Sequence, residues 1–135
     1  MTDPTPVPSV VSFLTCEKII TEADTNNKTL VNVFDRVTGP KFPLLYGPIW
    51  IYARLVDAEG HYTFRVEFNH LETEKQVAKT DDMNADLTDR LQAFDFALQF
   101  QAIGFESPGS YEVLIFANDV LIGRTTVSVL QVGAR

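Results

Sequence analysis

Trp50, Tyr52 and Arg54 fall at alternate positions of one apolar segment, and Arg65 follows in the next. In extended chain, alternate residues share a face, so the first three form a row, with Val56 at its end. Trp, Tyr and Arg combine large contact area with directed hydrogen bonds, and they dominate binding hot spots. The chemistry they offer is recognition of another protein. Cover by the N-terminal tail or by the segment Lys41 to Pro48 is the plainer explanation of the row, and the two readings stand level.

Other side chains suggest other chemistry. Asp81, Asp82, Asp86 and Asp89 could give oxygen ligands to calcium, but their spacing differs from the twelve-residue calcium loop and no glycine turns the chain among them. A solvated loop is the simpler reading, and no metal site is assigned. Glu67, Glu72 and Glu74 surround His70 as ordinary turn residues do. Cys16, the single cysteine, has no sequence link to either histidine, His61 or His70, that could activate it and reads as a small buried hydrophobe. No Gly-rich phosphate loop, Gly-x-Ser-x-Gly elbow or His-Glu-x-x-His is present. The chain is therefore read as non-enzymatic and without cofactor, with a calcium-binding sandwich as the alternative.

The elements that must position these residues are strands. Tyr62, Phe64, Val66 and Phe68 alternate with Thr63, Arg65, Glu67 and Asn69, the period of a strand with one buried face. Ile49, Ile51, Ala53 and Leu55 form a matching apolar set, and a turn around Gly60 would join the two segments as a hairpin. That hairpin would place Arg65 beside the Trp50 row, on one outer face. Val10 to Ile20 is apolar on both parities in its first half, as in a strand covered on two sides. Leu30 to Val37 is the next strand, and Pro43, Gly47 and Pro48 make the following segment a crossing loop. A short edge strand is expected near Gln76 to Ala78. A helix over Asn84 to Phe94 yields to the strand alternation Phe94, Phe96, Leu98, Phe100. A break is expected near Ala102 to Gly104. Tyr111 to Ala117 and Val120 to Val132 form a closing hairpin through Asn118-Asp119. Seven or eight strands without repeats predict an all-β, antiparallel two-sheet β-sandwich, immunoglobulin-like or C2-like. Leu114 and Phe116, on the outward parity of the closing hairpin, raise the same question of cover as the Trp50 row, and self-association would answer it.

Composition sets the outer limits. The chain of 135 residues is one domain's length, with 45% hydrophobic and 21% charged residues, so it can bury a core unaided. Residues 1–8, with three prolines, read as an extended mobile tail, and 9–135 as a single domain. A net charge of −7 repels a phosphate backbone, which argues against nucleic acid. No apolar run is long enough for a helical membrane span, and the first residues lack the features of a signal peptide. A cytoplasmic protein acting through a protein partner or a second copy of itself is expected.

Short motifs in order, Cys16-Glu17-Lys18-Ile19-Ile20, Leu30-Val31-Asn32-Val33-Phe34-Asp35, Phe42-Pro43, Tyr52-Ala53-Arg54, Pro108-Gly109-Ser110-Tyr111 and Leu121-Ile122-Gly123, resemble an uncharacterised family of small bacterial proteins. The resemblance implies a stand-alone β-sandwich and carries no catalytic residue. The Pro-Gly-x-Tyr element also looks like a tyrosine corner, in which the Tyr111 hydroxyl would bond nearby backbone.

Overall fold

Strand-forming residues fill the chain, and the computed structural model, which describes residues 5–133, is all-β. The strands are β1 (Ser9–Thr21), β2 (Lys28–Phe34), β3 (Arg36–Gly39), β4 (Leu44–Tyr46), β5 (Ile49–Val56) and β6 (Gly60–His70). They continue as β7 (Gln76–Lys79), β8 (Met83–Leu87), β9 (Phe94–Phe100), β10 (Ile103–Phe105), β11 (Gly109–Ala117) and β12 (Val120–Gln131). One sheet has the order β2-β1-β5-β9; another runs β3-β12-β11-β6-β7, with β8 also on β6. The β3–β12 pair is parallel, so this second sheet is mixed.

Twelve strands replace the expected seven or eight because long ones are interrupted. β4 and β10 pair in the register that Ile49↔Phe100 sets, carried on to Tyr46↔Ile103. The ladder of β5 and β9 thus resumes beyond Gly47-Pro48 and the expected break near Ala102. At that joint a side chain on Gly47 would lie 2.0 Å from the Gln101 carbonyl oxygen, so the strands approach where only glycine fits. β7 and β8 likewise form one edge with a gap, which Thr80 stitches to β6. Its N–H donates to the Val66 carbonyl (2.9 Å), and its hydroxyl accepts from the Val66 N–H (3.0 Å). The region weighed as a helix is β8 followed by a turn.

A single apolar cluster takes Ile49, Ile51, Ala53 and Leu55 from β5 and Tyr62, Phe64, Val66 and Phe68 from β6. Val113 and Ile115 of β11, Val127 and Val129 of β12, Phe96 of β9 and Phe105 of β10 are among the others in it. Phe64 meets Phe96 edge-on at 4.7 Å, and Phe68 meets Phe100 at 5.3 Å, so aromatic contacts join strands of the two sheets.

The β5–β6 hairpin does not form. β5 pairs with β1 and β9, whereas β6 pairs with β11, β7 and β8. Alternation fixes which face is buried and leaves the neighbour open; both strands bury the expected residues, but from different sheets. β1 also departs from expectation: Val11 and Leu14 are exposed, so its first half is not covered on both sides.

The C-terminal reading holds in detail. Asn118 (φ 49°) and Asp119 (φ 64°) are both left-handed, the geometry of a tight hairpin turn. Tyr111 donates its hydroxyl to the Ser107 carbonyl at 2.6 Å, a tyrosine corner. Gly109 (φ 145°) permits it, because a side chain there would lie 2.8 Å from His70 Nε2. Residues 1–4 of the proline-rich segment lie outside the described residues. Pro8 is buried, and the Pro6 carbonyl accepts the Tyr62 hydroxyl at 2.7 Å.

Candidate functional site

The structure divides the expected recognition row between two faces. Trp50, Tyr52 and Arg54 lie on β5, on the side opposite its core residues, while Arg65 lies on β6 in the other sheet. Separation of β5 from β6 is the cause.

On the β5 side the aromatic residues are covered by their own neighbours. Tyr52 is only 8% exposed and clusters with Cys16, Ile19, Leu30, Trp50 and Ala97. Neither explanation by tail or loop is needed: Phe42, Leu44 and Tyr46 pack on the main cluster, and Pro6 sits at Tyr62. Arg54 closes the row. Its Nε and Nη2 donate to Asp95 at 2.8 and 3.0 Å, and the Tyr52 hydroxyl donates to the same carboxylate at 3.0 Å. The hydrogen bonds from Arg54 hold the Asp95 carboxyl below the usual carboxylate range. Burial, reinforced by Asp95, pushes the Tyr52 phenol up, which keeps it protonated as a donor.

Arg65 is also engaged. It donates to Glu67 (2.7 Å) and Asp119 (2.9 Å), and its guanidinium carbon lies 4.4 Å from the Phe116 ring centroid. Phe116 is half-buried beneath it, and Leu114 is buried with Glu67 and Arg124 as cross-strand neighbours. The outward apolar residues of β11 therefore have cover within the chain.

The acidic set does not converge. Among the described residues no group of three His, Cys, Asp or Glu side chains could hold a metal ion. Asp86 contacts His61 at 2.6 Å, and Asp89 accepts the Leu91 N–H at 3.0 Å, closing its own turn. His70 is buried as a turn cap, its Nδ1 accepting the N–H groups of Glu72 (3.2 Å) and Thr73 (3.3 Å). Burial pushes the Cys16 thiol up, the opposite of what a nucleophilic thiol needs.

Exposed apolar side chains lie elsewhere, among other places along β1 and β2. Val33 is 51% exposed and Val31 38%, with Leu14, Ile20 and Val11 also open. β2 pairs with β1 alone and forms the outer edge of its sheet. A groove of about 340 Å³ lies at the end of this pair, between Leu14, Val33 and Phe34 on one side and Thr125 and Thr126 of β12 on the other. Sequence reasoning passed over Val31 and Val33 because alternating valines mark any half-buried strand; nothing in their types signals an edge.

A family profile matches residues 11–130, nearly the whole of the described domain. The chain belongs to a family of unknown function, DUF6941. The match bears out the resemblance to an uncharacterised family drawn from the short motifs. No curated protein matches the sequence. Membership in DUF6941 brings no activity with it, and no described helix is long and apolar enough to cross a membrane.

Proposed function

We propose that this DUF6941 chain is a non-enzymatic protein-binding module that receives an extended segment of a partner along the open edge of β2. The observation that carries this reading is the exposure of Val31 and Val33 on a strand with one free side. An unpaired edge offers main-chain donors and acceptors to an incoming strand, and side chains at alternate positions give it specificity. The sheets are read as the two layers of an antiparallel sandwich of the immunoglobulin or C2 kind, supported by the single cluster to which both contribute. A non-catalytic role is supported by the mutual pinning of Arg54 with Asp95 and of Arg65 with Glu67 and Asp119. The single buried thiol, with no cysteine to pair with in its own chain, suits a cytoplasmic setting.

The test is selection of a displayed random-peptide library against the immobilised protein. It should return segments with alternating aliphatic residues that bind the parent and fail to bind the V31K/V33K variant, whose circular dichroism and Tm stay unchanged. Equal binding to the parent and the folded variant would overturn the reading.

A further inference from the structure

Val31, Val33 and Asp35 fall at alternate positions, so an extended segment laid along β2 meets two aliphatic side chains and then a carboxylate. That carboxylate belongs to the groove of about 340 Å³ at the end of the strand. Leu14, Val33 and Phe34 give the groove its apolar side, and Thr125 and Thr126 of β12 give it hydroxyls. Asp35 is its one ionisable lining residue among the described residues; no lysine, arginine or histidine lines it.

The backbone around Asp35 is held from both sheets. Thr15 is buried in β1 and its hydroxyl donates to the Phe34 carbonyl, while the Ser128 N–H of β12 donates to the Asp35 carbonyl at 2.9 Å. The Asp35 side chain is exposed and has no cation within ion-pair distance among the described residues. Arg124, next to Thr125 in sequence, is held by Glu112 at 3.2 Å, and Arg36 does not line the groove. An unpaired carboxylate fixed beside aliphatic side chains suits a lysine or arginine, whose stem packs on apolar surface while its head makes charge-assisted hydrogen bonds. The Thr125 and Thr126 hydroxyls can accept from the same head. A net charge of −7 favours a cationic partner at longer range.

On the reading of β2 as a receiving edge, we infer that the segment it takes carries a lysine or arginine two positions beyond the residue that meets Val33, its stem against Leu14 and Val33 and its cationic head on the Asp35 carboxylate. Selection of the displayed random-peptide library on the parent, on Asp35→Asn and on Asp35→Lys tests it. Peptides taken by the parent should be enriched in Lys or Arg two positions from an alternating aliphatic pair, and those taken by Asp35→Lys should carry Asp or Glu there instead. One selected peptide, synthesised with its basic residue and with Gln in that place, then gives a double-mutant cycle by fluorescence anisotropy. Asp35→Asn and the Gln peptide should each weaken binding about tenfold, and together no more than either alone, because both remove the same contact. Peptides that bind the parent, fail on V31K/V33K and show no basic enrichment would overturn the inference and leave the edge reading standing. So would equal affinity for the parent and a folded Asp35→Asn. Peptides held equally by V31K/V33K would overturn the edge reading and this inference with it.

Discussion

The two sheets end in edges that are treated in opposite ways. Along β7 and β8 the edge is broken after Lys79, resumes at Met83, and carries Lys79, Asp81, Asp82 and Asp86 in exposed positions. Charge and interruption are the usual means of refusing an incoming strand. Along β2 the exposed positions include Val31 and Val33, and its one irregularity is Asn32 (φ 54°), whose side chain donates to Glu17 at 3.0 Å. A chain that blunts one edge and leaves valines on another separates a surface to be kept clear from one available for contact.

The largest expected effect comes from the residue beneath the blunted edge. Phe64, fully buried, pairs with Met83 of β8 and contacts Phe96 of the other sheet. Phe64→Ala should cost about 3–5 kcal/mol by chemical denaturation, through lost contacts and a cavity. A cost below about 1 kcal/mol would mean that the cluster does not hold β6 and β9 together. By contrast, V31K/V33K should change stability by no more than about 0.5 kcal/mol while abolishing peptide capture, because both valines are open to solvent on an edge strand and a lysine there can carry its ammonium into water. A large loss of stability in that variant would place them inside the fold.

The Arg54–Asp95 pair bridges β5 and the edge strand β9, and it sharpens the comparison through pH. The folded carboxyl is depressed relative to the unfolded chain, so its contribution is complete above the unfolded value of about 3.9 and is lost as pH falls through the lower, folded value. Thermal unfolding of the parent should therefore drop more steeply on acidification than that of Asp95→Asn; identical slopes would show that the ion pair contributes nothing. Smallest of all, K79V/D86V should leave Tm nearly unchanged and introduce weak, concentration-dependent association visible by sedimentation. A strictly monomeric double variant would show that the break at Thr80, rather than charge, protects that edge.

Much of this architecture was written in period and turn chemistry. The strict alternation of Tyr62 to Phe68 fixed the buried face of β6, and Ser107-Pro108-Gly109-Ser110-Tyr111 announced the corner that Tyr111 makes with Ser107. The partners of β5 and β6 were not legible. Ile49 to Leu55 and Tyr62 to Phe68 carry complementary patterns whether they lie side by side or across a core, and the short link through Asp57 (φ 59°) and Gly60 crosses between sheets. The placing of Arg65 beside the Trp50 row failed for the same reason, because Arg65 could join Trp50 only if β5 paired with β6.

Cys16 has no solvent exposure and is the cross-strand partner of Trp50, the single tryptophan. A reagent can reach its sulfur only when β1 or a neighbouring strand lifts, so the rate of thiol labelling becomes a clock for local opening at the seam beside β2. The nearby indole gives an optical signal at the same place. The molecule thus carries a built-in gauge of how often the edge proposed to receive a partner comes loose, and a bound segment would slow that clock before any change in global unfolding is seen.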